Sequence, residues 1–273
     1  MMKTSFSTLA CPDWGLTQIL QAAAKYGYDG VELRVVSREL DLWNLPEFKS
    51  SALADTRRSI EDHGLVVASM GSSACFHSSD ALERERNFDS ALRMAELAAG
   101  LGSPPTRAFG DRIQPGNTRV QTTGWLVDSL NRLAERLQPS GVEVWLETHG
   151  DFAAVAEVGE VFAQLSSANV GIIWDPANAF DQSGEAPCIS PLMAPYVRHV
   201  HLKDMKKDAQ GGFYYVDTGE GDFPFETMFA SLAAIHFDGF VSFEWEKLWH
   251  PELAGPEMAL PHFIGWWKTR EVH

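Results

Sequence analysis

The chain has 273 residues, of which 45% are hydrophobic and 22% charged, and its formal net charge is −15. This composition is typical of a soluble globular protein. The negative charge disfavours nucleic acid and anionic membranes as partners, because both repel it. No apolar stretch approaches the roughly 18 residues of a membrane span.

The N-terminal segment lacks the continuous apolar core of a signal peptide. Three cysteines, Cys11, Cys75 and Cys188, show neither disulfide nor metal-type spacing, which favours a reducing compartment. We therefore expect a cytoplasmic protein. The sequence leaves the oligomeric state open, a homo-oligomer included.

Short apolar runs alternate with longer amphipathic segments along the whole chain. Several of the runs are continuous and β-branched, as strands covered on both faces are. The predicted strands cover residues 4–9, 30–33, 65–70, 106–109, 142–147, 170–174, 197–202 and 240–244. Helical periodicity marks the segments 81–99, 124–137, 152–165 and 225–234.

Repeated strand–helix alternation predicts a parallel sheet. Eight such units favour a closed (β/α)₈ barrel, a TIM barrel of the α/β class, over an open sheet. No repeat, low-complexity tract or linker divides the chain, so we predict one domain over residues 1–273. Active sites of such barrels lie at the C-terminal ends of the strands. Polar residues at those ends are therefore the functional candidates.

The last four predicted strands end in metal-type residues, which are Glu147, Asp175, His201 and Glu244. Three carboxylates and one imidazole suit a hard or borderline cation such as Mn²⁺, Mg²⁺, Co²⁺ or Zn²⁺. A single acid at a strand end is as readily explained by a helix cap or an ion pair. Four candidates on consecutive strands favour a metal site at the barrel mouth instead.

At this point six motifs, in their usual order, resemble the xylose isomerase-like barrel superfamily of sugar phosphate isomerases and epimerases. They are DGVELR at 29–34, LETHG at 146–150, WDPAN at 174–178, HVHLKD at 199–204, GEGDFPFE at 219–226 and GFVSFEWE at 239–246. The resemblance implies one divalent metal ion, with Mn²⁺ expected first, on Glu147, Asp175, His201 and Glu244. Within the motifs it favours His201 over His199 and Glu244 over Glu246.

Further polar residues accompany these motifs. His149 follows Glu147 by two positions and is a candidate acid or base, because imidazole titrates near neutral pH. A hydrogen-bonded loop histidine is the alternative. The candidate substrate-binding residues, each also explicable by a structural ion pair or loop contact, are Glu32, Arg34, Arg107, Lys203, Asp204 and Glu220.

The resemblance implies an isomerase or epimerase of a sugar, a sugar phosphate or a keto-polyol. The reaction passes through a metal-stabilised enediolate, with Glu147 and Glu244 removing and returning the proton. The alternative is a dehydratase of a cyclic or keto-polyol substrate, with His149 as its base.

Two other functions fit the sequence less well. The apurinic endonuclease branch of the superfamily has a histidine where Asn178 stands and an Asp-x-His motif where Phe213 and Tyr215 stand. The acidic surface adds to this objection. A non-catalytic sugar-binding barrel is disfavoured by the intact set of metal-type residues.

Overall fold

The structure of the protein is a computed structural model that describes residues 1–270. Eight parallel strands form one sheet in the order β1-β10-β7-β6-β5-β4-β3-β2. A parallel bridge between Ser7 and Glu32 joins its two outer strands, so the sheet is a nearly closed barrel. The barrel strands are β1 (Lys3–Phe6), β2 (Gly30–Leu33), β3 (Val66–Met70), β4 (Pro105–Phe109), β5 (Glu143–Glu147), β6 (Val170–Trp174), β7 (Val197–Leu202) and β10 (Phe240–Phe243).

Helices lie between the strands, and the predicted single-domain TIM barrel is confirmed. They are α1 (Leu16–Tyr26), α2 (Leu53–Asp62), α3 (Ala81–Leu101), α4 (Arg119–Leu137), α5 (Val155–Phe162), α6 (Pro176–Ser183), α7 (Phe225–Ala234) and α8 (Pro256–Lys268). Within residues 1–270, no helix combines the length and the apolar character needed to cross a bilayer.

Among the element boundaries that differ from the prediction, two have a clear local cause. Helix α4 begins five residues earlier than predicted, because Thr118 and Gln121 form a reciprocal capping box. The first strand ends at Phe6, because residues Thr8–Ala10 turn into a 3₁₀ helix.

An antiparallel hairpin that the sequence analysis did not predict follows β7. Its strands are β8 (Asp204–Lys207) and β9 (Phe213–Val216), which pair from Asp204 to Val216. The hairpin begins directly after the HLK segment of the sequence and therefore lies beside the C-terminal end of β7. It adds side chains to the edge of the barrel at which the candidate site was expected.

Outward and inward residues alternate along the barrel strands. Phe243 stacks on Phe263 of α8 with ring centroids 4.6 Å apart, so its face of β10 packs against the helices. The neighbouring Ser242 is fully buried, pairs in register with His201 of β7, and points to the opposite face. The barrel interior is thus partly polar, and buried side chains such as Ser242 lie beneath the polar candidates at the strand ends.

Candidate metal site at the barrel mouth

The four predicted metal ligands converge. Glu147 ends β5, Asp175 directly follows β6, His201 lies in β7 and Glu244 directly follows β10. One donor atom from each lies within 4.8 Å of all the others. Their exposure is 2% or less. The barrel therefore brings four ligands from four separate strands to one buried point.

His201 is held in a fixed orientation by Glu32. The Glu32 carboxylate accepts hydrogen bonds from Nε2 of His201 at 2.9 Å and from Nε2 of His199 at 3.0 Å. All three side chains are fully buried. With Nε2 engaged, Nδ1 of His201 faces the acids, and it forms no well-aligned hydrogen bond. A carboxylate that binds one imidazole nitrogen while the other faces a metal is a common arrangement in metal sites.

Nδ1 of His201 is surrounded by carboxylate oxygens. It lies 3.2 Å from Oε1 of Glu244, 3.8 Å from Oε1 of Glu147 and 3.9 Å from Oδ2 of Asp175. Although burial opposes a positive charge, Glu244, Glu32 and Glu147 raise the pKa of His201 well above its usual value. The pocket of carboxylates therefore attracts a cation at this position.

Asp175 uses its two oxygens differently. Oδ1 caps α6 by accepting hydrogen bonds from the backbone N–H groups of Ala177 and Asn178. Oδ2 lies 2.7 Å from Nζ of Lys203 and faces the candidate metal position. Burial raises the pKa of Asp175 to about 7. The Asp175 side chain is thus both the cap of α6 and a candidate metal ligand. Because Oδ1 is fixed at the start of the helix, Oδ2 is held in position as well.

Lys203 lies within the cluster of acids and not at the surface. Its Nζ contacts Oε2 of Glu244 at 2.7 Å and Oε1 of Glu246 at 3.2 Å. Although burial by itself raises the pKa of Glu244, the positive charges of His201 and Lys203 hold it well below its usual value. Glu244 is therefore an ionised carboxylate in this environment.

Two arginines, one directly after β2 and one in β4, also reach the barrel mouth. Nη1 of Arg107 donates to Oε2 of Glu147 at 2.7 Å. Nη2 of Arg34 donates to Oγ of Ser73 at 2.7 Å, whereas its Nη1 is buried without a hydrogen-bond partner. Burial and the neighbouring Arg107 lower the pKa of Arg34 to about 9, which still leaves it charged at neutral pH. Arg34 therefore has an unsatisfied donor at the barrel mouth.

His149 is more accessible than the four converging residues. Its side chain is 43% exposed, and its Nδ1 lies 2.9 Å from Oδ1 of Asp111. Although partial burial opposes protonation, the hydrogen bond to Asp111 raises the pKa of His149. Phe109 packs against the imidazole with ring centroids 5.2 Å apart. The pairing with Asp111 orients the ring, so that Nε2 is left for other contacts.

Asp204 organises a loop. Its Oδ2 accepts hydrogen bonds from the backbone N–H groups of Gly219 at 2.7 Å and Gly221 at 2.9 Å. The Gly-rich loop at residues 217–223 is thereby tied to the end of β7. Glu220, between the two glycines, is exposed. Among the six residues assigned to substrate on sequence grounds, Asp204 thus contacts the loop backbone and Glu220 faces solvent.

Several residues around the site were not identified from the sequence. Thr148 accepts the backbone N–H of Asp175 at 2.7 Å, and Tyr215 of β9 lies next to Lys203, with Nζ 5.9 Å from its ring centroid. Asp111 comes from the loop after β4. The hairpin and the loop after β4 show no periodic pattern of apolar residues from which their contacts could be predicted. For Asp111 a signal existed, because an acid two residues after a barrel strand is a candidate for the site.

The residues fit a divalent cation by charge as well as by donor type. With His201 neutral and every carboxylate ionised, as metal binding requires, five buried or nearly buried carboxylates exceed the three permanent cations of the site by two negative charges. The acids are Glu32, Glu147, Asp175, Glu244 and Glu246, and the cations are Arg34, Arg107 and Lys203. Uncompensated buried charge is costly, and a divalent ion supplies the missing charge. The structure thus supports a divalent-metal site.

Comparison with known proteins places the barrel in context. A family model described as xylose isomerase-like TIM barrel matches residues 20–269. The search of curated proteins finds no match.

Solved structures share the fold at low sequence identity. A structure of the IOLI protein with a bound zinc atom has a TM-score of 0.80 at 20% identity, covering 99% of this chain and 98% of that one. The 3-keto-D-glucoside 4-epimerase YcjR from E. coli has a TM-score of 0.76 at 17% identity, over 99% and 100% of the two chains. The probable 3-DHS dehydratase AsbF from Bacillus anthracis has a TM-score of 0.74 at 17% identity, over 99% and 100%.

Proposed function

The chain belongs to the xylose isomerase-like TIM barrel family, and from that premise we propose that it is a metal-dependent isomerase or epimerase of a sugar or keto-polyol. The observation that carries the proposal is the convergence of Glu147, Asp175, His201 and Glu244 on one buried point. The solved structures of this fold described above include both an epimerase and a probable dehydratase. The donor chemistry suits Mn²⁺, which we propose as the native ion.

Glu147 and Glu244 are the proposed proton carriers. They approach His201 from β5 and β10, and each keeps one oxygen on a cation, Arg107 for Glu147 and Lys203 for Glu244. The other oxygen of each faces the centre of the site. A proton removed from one face of a carbon beside a carbonyl can be returned on the other face, which inverts that centre. A bound divalent ion would supply Lewis-acid stabilisation of the enediolate oxygens.

The two arginines are the proposed contacts to substrate oxygens. Arg34 has a free donor at Nη1, and Arg107 lies beside Glu147. A planar guanidinium binds a carboxylate, a phosphate or a pair of hydroxyls in a defined orientation. We assign Glu32 to positioning His201, because it is fully buried beneath the imidazole. We assign Asp204 to holding the Gly-rich loop.

A dehydratase is the second candidate, and one observation favours it. His149 is partly exposed at the mouth and oriented by Asp111, as a general base is commonly oriented by a carboxylate. In this reading His149 removes the proton beside the carbonyl, and a hydroxyl leaves from the neighbouring carbon as water. The substrate would then be a cyclic or open keto-polyol.

Solvent deuterium tests the shared proton-transfer step. We expect incubation with ketohexoses, a 3-keto-D-glucoside and 3-DHS in deuterated water to label the carbon beside the carbonyl, in product or in recovered substrate. Mass spectrometry and proton NMR locate the label. Epimerisation or isomerisation with that carbon unlabelled would indicate a hydride shift and contradict the proposal, whereas the fold and the metal site would be unaffected. Dehydration removes the proton without returning it and is recognised by the loss of water from the product.

Three variants separate the epimerase from the dehydratase. Glu147→Gln and Glu244→Gln should each lower turnover by several orders of magnitude, because each loses a charge and a proton carrier. His149→Asn should retain the metal, since His149 is not among the converging ligands. Retained turnover in His149→Asn supports the two-glutamate epimerase. Complete loss with the metal in place supports the dehydratase.

A further inference from the structure

A second cluster of metal-type side chains lies outside the strand-end site. One donor atom each from Cys75, His77 and Asp111 lies within 4.8 Å of the other two. The thiol and the imidazole come from the segment after β3, and the carboxylate comes from the loop after β4. The three belong to no group of ligands discussed above. Their chemistry, one sulfur, one nitrogen and one oxygen, differs from that of the strand-end site.

The backbone explains how this cluster forms. Residue 75 forms a parallel bridge with Phe109 at the end of β4, and the backbone N–H of Phe76 donates to the carbonyl of Phe109 at 3.1 Å. Cys75 and His77, two residues apart in this extended segment, therefore point to the same side. Asp111 follows β4 by two residues and adopts a φ of 49°, a left-handed conformation that is uncommon for aspartate. The turn brings its carboxylate to the other two side chains.

His77 is arranged as a ligand would be. Its Nδ1 lies 3.9 Å from Oδ2 of Asp111 and is buried without a hydrogen-bond partner. Its Nε2 lies 3.1 Å from the side-chain amide of Gln114. The oxygen and nitrogen of an amide have nearly the same shape, and rotation of the Gln114 amide by 180° exchanges them. The Gln114 oxygen can then accept a hydrogen bond from Nε2–H of His77, which leaves the lone pair on Nδ1 of His77 free. Nδ1 then faces the space between Cys75 and Asp111.

Asp111 has one oxygen to spare. Oδ1 accepts the hydrogen bond of His149 at 2.9 Å, while Oδ2 is the atom that faces His77. A cation on Oδ2 would therefore also hold the carboxylate that orients His149. This links the second cluster to the barrel mouth through one side chain, without any shared ligand.

We propose that Cys75, His77 and Asp111 form a separate binding site for Zn²⁺, with three protein ligands and an open fourth position. Sulfur and imidazole select zinc over the harder ions that suit carboxylate sites. Burial raises the pKa of the Cys75 thiol to about 12, so a free, nucleophilic thiolate is not the alternative. Binding displaces the thiol proton to solvent, and no electron is transferred.

Cobalt provides the test, because a thiolate on Co²⁺ gives an intense charge-transfer absorption in the near ultraviolet. The strand-end ligands are oxygen and nitrogen only, so they do not contribute to that absorption. We expect the chelator-stripped protein to bind two equivalents of Co²⁺ and to show the thiolate band, and Zn²⁺ to displace it. Cys75→Ser should abolish the band and bind one equivalent. Cys188→Ser, at an exposed cysteine, should keep both.

Two further variants make the outcome decisive. His77→Asn should weaken the affinity of the second site for Co²⁺, followed by the thiolate band, at least tenfold. If circular dichroism shows Cys75→Ser to be unfolded, His77→Asn takes its place in the test. His201→Ala should lose the strand-end equivalent and keep the band, so the second site is tested independently of the proposed function. Absence of the band in the unsubstituted protein, or its persistence in Cys75→Ser, would overturn the proposal.

Discussion

At the scale of the residue, His201 shows how strongly one side chain depends on its neighbours. Its Nε2 is held by Glu32, and its Nδ1 faces Glu147, Asp175 and Glu244. Because all these groups are buried, each carboxylate is present at a cost that positive charges and hydrogen bonds must offset. The same carboxylates therefore determine both the orientation of the His201 imidazole and the charge of the site.

Glu32→Gln should lower the affinity of the strand-end site for its metal by about 10- to 100-fold, the usual cost of losing a group that supports a ligand. The amide removes the negative charge that holds Nε2–H of His201. Competition with a fluorescent chelator measures the affinity. Glu220→Gln, on the exposed loop, makes the same chemical change and serves as the control. Equal affinities in the two variants would contradict the positioning role of Glu32.

At the scale of the element, the sequence predicted the strands better than it predicted what joins them. All eight barrel strands were found, because their apolar runs are continuous. The hairpin at β8 and β9 was missed, since its sequence is half polar and partly exposed. The contact between His149 and Asp111 was missed for another reason. It joins the ends of two strands, and a left-handed turn at Asp111 decides it.

The Gly-rich loop depends on glycine at position 221. A Cβ there would overlap the Asp204 carboxylate and the carbonyl oxygen of Met205. Gly221→Ala should therefore destabilise the protein by about 1–3 kcal/mol, the usual cost of overpacking a tight contact. It should also lower kcat/KM, since the loop is held by Asp204, the residue that follows Lys203 in the sequence. Chemical denaturation followed by circular dichroism measures the stability.

Gly124→Ala is the matched control for that change. Gly124 is exposed within α4, and a Cβ there meets nothing within 4 Å. Alanine is favoured over glycine in a helix by up to about 1 kcal/mol, so this variant should be slightly more stable. If both variants shifted stability in the same direction, the contact between Asp204 and the loop would not be the cause.

At the scale of the whole molecule, the predicted barrel explains why four distant residues could be grouped from the sequence alone. Parallel strands bring their C-terminal ends to one edge, so Glu147, Asp175, His201 and Glu244 were expected together. The same rule does not reveal which neighbours are buried between them. Lys203 lies among the acids, with Nζ 2.7 Å from Oδ2 of Asp175 and from Oε2 of Glu244, and only side-chain packing decides that.

Metal binding should stabilise the entire barrel, because the ligands lie on β5, after β6, on β7 and after β10 and no such site exists in the unfolded chain. At a free-metal concentration 1,000-fold above Kd, the gain in unfolding free energy is about 4 kcal/mol. Differential scanning calorimetry with and without Mn²⁺ should therefore show a higher Tm with metal and a lower one after chelation.

His201→Ala separates this effect from general salt effects on a chain with a net charge of −15. Since it removes one ligand and leaves the acidic surface intact, its Tm should respond weakly to Mn²⁺. An equal rise in both proteins would place the stabilising ion on the surface and contradict the strand-end site.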